Sequence, residues 1–177
     1  MKELARHREV TWEDPMVSAA LALDMSGLDY LRAIADGRIA PPPIAALLGM
    51  SIVDVQPGRV TFSLEVGEHL YNPIGSVHGG VFCALLDSAM GCAAHSVLDR
   101  GLAYATLELK ANLVKALTVK TPSVVATGQV ISSGRRVITA SGQITGPDGT
   151  LYAHGTTTCL AVEPHQQSRS EGNGHGR

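Results

Sequence analysis

NPIGSVHGGVFCALLDSAMGCAAHSVL, residues 72–98, is the stretch on which the reading of this chain turns. From Gly79 to Leu98 nearly every residue is apolar or small, enough for about five turns of α-helix. A single carboxylate, Asp87, stands in the middle of it. Burying an unpartnered carboxylate is costly enough that such a group finds hydrogen bonds or shifts its pKa, so an acid in this setting needs a reason. A membrane span is disfavoured, because a central Asp costs about 3 kcal/mol on insertion scales and strand-like segments follow. The plain alternative is a solvated or capped acid where the helix leaves the core.

Just upstream stand Asn72, Pro73 and Gly75, then His78-Gly79-Gly80. Pro73 and Gly75 punctuate a loop, and paired glycines let a ligand come close to the backbone at the mouth of a helix. The first helical turn has free N–H groups at the positive end of the dipole, where a developing negative charge is stabilised. Asp87 follows His78 by nine residues. One element thus carries a carbonyl-polarising backbone and a carboxylate, the minimum equipment for attack on a carbonyl.

The pattern N-P-x-G-x-x-H-G-G with an Asp nine residues after the His, on a small-residue helix, resembles the PaaI-like (phenylacetate-degradation type) hotdog-fold acyl-CoA thioesterases. The similarity continues through GLAYATLELKANLVK at 101–115, Gly134-Arg135-Arg136, and AHGTTTCL at 153–160, covering roughly residues 28–162. The resemblance implies an α+β hotdog fold, an antiparallel sheet of five to six strands wrapped around one long helix. It implies hydrolysis of an acyl- or aryl-acyl-CoA, with the Gly79 N–H polarising the carbonyl and Asp87 acting as nucleophile or as general base. Asn72 aligns with a residue that positions water or thioester, and Thr106 with an assisting hydroxyl. His78 either orients the loop or acts directly. Gly80, Arg135 and Arg136 are expected to bind substrate, the guanidinium groups meeting CoA phosphates; Lys110 and Lys115 are weaker candidates. The site is expected across a homodimer interface, in a dimer of dimers. No cofactor is expected, CoA being part of the substrate.

Length and composition agree with one domain of ordinary size. A net charge of −2 and 4% aromatic residues supply no basic stripe and few stacking platforms, against nucleic-acid binding. Cys83, Cys92 and Cys159 are odd in number and lack C-x-x-C spacing, and MKELARHREV has no adjoining signal-type apolar core, so a reducing, cytoplasmic location without disulfides is expected.

Working outward, residues 1–43 read as an N-terminal extension with a helical segment over 15–35, broken at Gly27 and closed by Asp36-Gly37 and Pro41-Pro42-Pro43. Residues 44–162 read as the thioesterase domain. Within it, 50–55 and 60–66 flank Pro57-Gly58 as a hairpin, with Val60, Phe62 and Leu64 alternating against Thr61, Ser63 and Glu65. After the helix, 102–113 alternates, with Leu107, Leu109, Ala111 and Leu113 on one face and Thr106, Glu108, Lys110 and Asn112 on the other. By that parity Thr106 faces away from the helix. Segments 123–131, 136–145 and 151–162 follow, giving three successive hairpin-like connections. Residues 163–177 are polar and expected to be a disordered tail.

Other chemistries fall away. His95 and His154 lack metal-ligand spacing, so no metal is expected. Ser88 has no G-x-S-x-G elbow, and the phosphate-binding glycine motifs are absent. Two alternatives remain: a hotdog hydratase or dehydratase acting on acyl thioesters, and a non-catalytic acyl-CoA-binding protein.

Overall fold

A computed structural model describes residues 5–163. The elements are α1 (Pro15–Ala22), α2 (Gly27–Ala35), α3 (Pro43–Leu48), β1 (Met50–Gln56), β2 (Arg59–Glu65), a 3-10 turn (Glu68–Leu70), α4 (Gly79–His95), β3 (Ala103–Leu113), β4 (Ser123–Ser133), β5 (Val137–Thr145) and β6 (Leu151–Val162). Apart from Glu163, the expected tail lies outside the described residues.

The six strands form one antiparallel sheet in the order β1-β2-β4-β5-β6-β3, with α4 against its inner face, as the hotdog expectation requires. The expected hairpin over Pro57-Gly58 is present, and Gly58 takes φ 74° there, a left-handed value that glycine adopts without steric cost. Only two of the three expected hairpin connections after the helix exist. β3 pairs with β6 rather than β4, so it forms the far edge of the sheet. Residues 114–122 cross instead of turning back: Leu117 is buried at 2% exposure, its carbonyl accepts from the Val77 N–H, and the Val114 N–H donates to the Tyr152 carbonyl. Anchoring an apolar residue in the core holds that segment away from a tight turn.

The helix presses Leu85, Leu86, Ala89, Met90 and Ala93 into the sheet, each at 1% exposure or less. Part of this closeness comes from the strands. Gly128, Gly142 and Gly155 are direct cross-strand partners on β4, β5 and β6, a row of missing side chains beneath the helix. A Cβ on Gly128 would stand 2.2 Å from the Ala89 carbonyl oxygen and 2.6 Å from the Met90 nitrogen, backbone atoms that cannot swing aside. Gly128→Ala is therefore expected to destabilise the fold by about 3 kcal/mol or more, read as a lower denaturation midpoint in urea.

The helix ends at His95, short of the expected Leu98. Ser96 closes it, its hydroxyl donating to the Ala93 carbonyl (2.7 Å) and accepting from the Gly58 N–H (2.8 Å), which ties the helix end to the β1–β2 turn. α2 packs on this end. Leu31 and Ala33 are buried at 2% and 1%, and a Cβ on Gly27 would overlap the His95 carbonyl.

His95 lies between the rings of Tyr30 on α2 and Tyr104 on β3, at centroid distances of 5.8 and 5.5 Å. Burial holds its imidazole below the ordinary value of 6.5, against a smaller opposing contribution from a backbone hydrogen bond to Leu102. Below pH 6.5 the unfolded chain takes up a proton that the folded chain refuses. The stabilisation is complete above that pH and is lost as the pH falls, by up to about 1.4 kcal/mol per pH unit for one proton. Urea denaturation at pH 7.5 and 5.5 is expected to show this loss, and His95→Gln to show less of it.

Candidate active site

The loop before α4 is shaped by Asn72. Its side-chain oxygen accepts from the Ile74 N–H (3.0 Å), its backbone N–H donates to Ser76, and Gly75 supplies φ 82°. The remaining hydrogen-bonding capacity of the side chain is on Nδ2, with one long contact to Ser76 (3.4 Å). A bridge between Tyr71 and Val77 closes the loop and delivers His78 to the head of the helix.

His78 is the N-cap of α4. Its Nδ1 accepts from the Gly80 N–H at 2.9 Å, and its carbonyl accepts from the Val81 N–H. With Nδ1 accepting, the neutral ring carries its proton on Nε2. The cap satisfies the second and third amides of the helix and leaves the first. The Gly79 N–H has no partner among the described residues, so it is a donor at the positive end of the dipole with nothing yet to bind.

Asp87 lies on the same helix, eight residues beyond Gly79 and about 12 Å along the axis at 1.5 Å per residue. It is half-buried, and Thr106 Oγ1 on β3 donates to its Oδ1 at 3.0 Å. This corrects the parity read from the sequence. A β-bulge between Thr106 and Glu108 shifts the alternation, so Thr106 shares the inner face with Leu109 and Ala111, while Leu107 is 58% exposed. Inserting one residue reverses which side chains point inward, and nothing in the local residue types announces it.

The surroundings of Asp87 are neutral. Burial pushes the Cys92 thiol up to about 12, with the Asp87 charge adding to it. The Tyr104 hydroxyl is likewise raised well above 10 by burial, then by Cys92 and Asp87. Among the described residues no ion pair neutralises the carboxylate. The carboxylate is thus oriented by one hydroxyl and paired with no cation among the described residues.

Beside the helix mouth, a cleft of about 390 Å³ runs between α3, the 3-10 turn and the first turns of α4. Its lining of Ile44, Leu48, His69, Leu70, Val81 and Ala84 is mostly apolar, and it also touches His78 and Gly80. The sequence reading takes 44–48 as a short turn and places neither it nor His69 beside the site, because they have no motif spacing and meet the helix only in the fold. A more polar depression of about 470 Å³, lined by residues including Arg59, Gln143 and His154, lies on the sheet and shares no residue with this cleft.

The structure thus groups Asn72, His78, Gly79 and Gly80 at one end of α4, and Asp87 with Thr106 near its middle. Arg135 and Arg136 are exposed on the β4–β5 connection, near the opposite end of the helix: the Arg136 carbonyl accepts from Ala161, and Val130 of the same hairpin donates to Gly58, beside the Ser96 cap. In one protomer the two arginines do not join Gly79. Among the described residues no cluster of His, Cys, Asp and Glu could hold a metal ion, and no helix is long and apolar enough to cross a membrane.

Residues 74–153 match the model of the thioesterase superfamily, a span that contains Gly79, Asp87 and Thr106. A 1,4-dihydroxy-2-naphthoyl-CoA hydrolase of Listeria monocytogenes is 34% identical over 65 residues, 37% of this chain and 53% of that protein. The match therefore spans about half the length of this curated relative. Among solved structures, a thioesterase family protein from Silicibacter pomeroyi is 27% identical, with a TM-score of 0.68 over 76% of this chain and 99% of that one. A phenylacetic acid degradation-related protein from Ralstonia eutropha is 26% identical, with a TM-score of 0.67 over 74% and 98%.

Proposed function

We propose that this chain, whose residues 74–153 match the thioesterase superfamily and whose sheet and central helix have the hotdog arrangement, hydrolyses the thioester of an acyl-CoA to a free acid and CoA. The observation that carries this reading is the pairing of an unfilled amide, Gly79 N–H, with an unneutralised carboxylate, Asp87, held by Thr106. The amide binds the carbonyl oxygen and stabilises the oxyanion that forms as the carbonyl becomes tetrahedral. Asp87 either attacks the carbonyl carbon, giving an acyl anhydride that water cleaves, or takes a proton from the attacking water. In both routes the C–S bond breaks and the thiolate leaves. Asn72 Nδ2, which has an N–H beyond its long contact to Ser76, and His78 Nε2 are donors on the loop that leads into the amide, suited to orienting water or the thioester.

A separation of about 12 Å along one helix keeps Gly79 and Asp87 of the same chain from sharing a carbonyl. The reading therefore includes a homodimer, each site using the amide of one protomer and the carboxylate of the other, within a dimer of dimers. β3 supports it: an eleven-residue edge strand with one side unpaired and with Leu107 and Leu113 more than half exposed is suited to another copy of itself. The arginines at the far helix end then approach the partner's Gly79 end, as phosphate binding requires. Residues 44–162 form the catalytic unit and 1–43 an extension of it, in a cytoplasmic enzyme.

Release of free thiol from acetyl-, hexanoyl-, phenylacetyl- and palmitoyl-CoA tests the proposal. Thiol release from at least one of them is expected. Hydration of an enoyl-CoA without free thiol would replace hydrolysis by hydratase chemistry, and binding without turnover would replace it by a carrier role.

A further inference from the structure

We propose that the N-terminal segment of this chain is a clasp on the amide end of the site, with Arg6 and Arg8 as positioning residues that hold His78, and through it the Gly79 N–H, where the carbonyl is to bind. The effect on rate rests on the hydrolytic reading. The holding itself rests on contacts within one protomer, and leaves Asp87 to be supplied by the other.

The two elements beside the helix mouth are thinly anchored in the core. α3 is six residues long and buries Ala45 alone, while Ile44 and Leu47 are 46% and 53% exposed. The 3-10 turn buries Leu70 alone. A helix as short as α3 leaves its last carbonyls without partners of its own. The Gly49 N–H takes that of Ala45, and the next three are met from outside. Arg8 donates to the carbonyls of Ala46 and Leu47, and His69 of the 3-10 turn bonds to the backbone of Leu48. A guanidinium at the C-terminal end of a helix adds attraction to the dipole to its hydrogen bonds.

The turn is gripped by the same segment. Arg6, two residues before Arg8, pairs with Glu68 at 2.7 Å. With side chains 68% and 54% exposed, this pair adds little to stability; what it fixes is where the turn lies. One further contact leads to the site. The Leu70 carbonyl, at the end of the turn, accepts from the His78 N–H at 2.9 Å. His78 caps α4 and sets the path by which the chain enters the helix, and so the direction of the next amide, that of Gly79.

Charge at the junction agrees with this packing. Burial, and then the Arg8 guanidinium, lower the pKa of His69, against an opposing contribution from the Leu48 backbone, so the imidazole beside Arg8 is neutral at pH 7. The same extension also reaches the other end of α4, where Tyr30 of α2 meets His95. Arg6 and Arg8 lie outside residues 74–153, the span that matches the family model.

The experiment uses the full chain and reads thiol release from the best acyl-CoA beside a thermal melt. Arg6→Ala combined with Arg8→Ala is expected to lower kcat about three- to tenfold, with KM and the melting midpoint nearly unchanged. Arg8→Lys, which keeps a donor for one carbonyl, is expected to lose less. Arg6→Glu is expected to lower kcat and to regain it when Glu68→Arg is added, because the ion pair re-forms in reverse. In a Gly79→Pro background the double alanine change is expected to cost less than about twofold, since the amide that the clasp places is already absent. An equal loss in that background, or a double alanine variant with wild-type kcat, overturns the positioning role. Hydrogen exchange separates the clasp from hydrolysis. The His78 amide is expected to exchange at least about fivefold faster in the double alanine variant, and an unchanged rate overturns the clasp whether or not the chain turns over. If no acyl-CoA releases thiol while exchange rises as expected, hydrolysis is overturned and the clasp stands.

Discussion

Replacing Asp87 by asparagine is expected to lower kcat by about 10³- to 10⁴-fold with little change in KM or in stability. The side chain keeps its shape, and the amide oxygen still accepts from Thr106 Oγ1, the contact that orients the carboxylate at 3.0 Å. What disappears is the negative charge, and with it the ability to attack a carbonyl or take a proton from water. Because Asp87 is half-buried and makes no ion pair among the described residues, its neutralisation strands no buried countercharge. Steady-state kinetics on the best acyl-CoA, beside a thermal melt, measure both halves of this expectation. A variant that is folded and retains a tenth or more of the wild-type kcat would remove Asp87 from the chemistry.

Gly79→Pro is expected to cost about 10²- to 10³-fold in kcat, the usual cost of losing one oxyanion donor. The change is unusually clean at this position. Gly79 is the first residue of α4, where proline is well tolerated because its fixed φ suits the helix and the missing N–H has no partner inside it. His78 already has the extended backbone that a following proline demands, φ −63° and ψ 137°. The cap from Gly80 N–H to His78 Nδ1 does not involve the substituted nitrogen. Gly79→Ala is the control. It retains the N–H, and its Cβ would meet the movable Leu113 Cδ1 at 3.2 Å, so activity is expected to stay within a few-fold of wild type. Mixing the Gly79→Pro and Asp87→Asn chains tests whether the site is shared. A mixed dimer has one site with both defects and one with neither, so activity should return on mixing. If each protomer carries a complete site of its own, activity will stay at the level of the separate variants.

Much of this arrangement could be read along the chain, where the signal was local. The alternation of Val60, Phe62 and Leu64 beside Pro57-Gly58 announced the β1–β2 hairpin, and the small apolar run after His78-Gly79-Gly80 announced the helix and its free first amide. Each depends on residues within a turn or two of one another. The partner of β3 was read wrongly because the segment before β4 resembles a turn until Leu117 is seen buried. The inward direction of Thr106 was missed because a bulge is a property of two paired strands and leaves no mark on the alternation of one.

The sequence by itself determined the helix, the free amides of its first turn and the presence of a single acid within an apolar run, since backbone geometry and side-chain polarity over a few residues suffice for all of them. Tertiary structure alone decided that Thr106 orients that acid, that Gly128, Gly142 and Gly155 line up to let the helix settle, and that α3 closes a cleft beside the amide. These contacts join residues from different elements, as Thr106 on β3 and Asp87 on α4, 19 positions apart, illustrate. Their geometry is set by strand register and sheet curvature, which no short stretch of chain encodes.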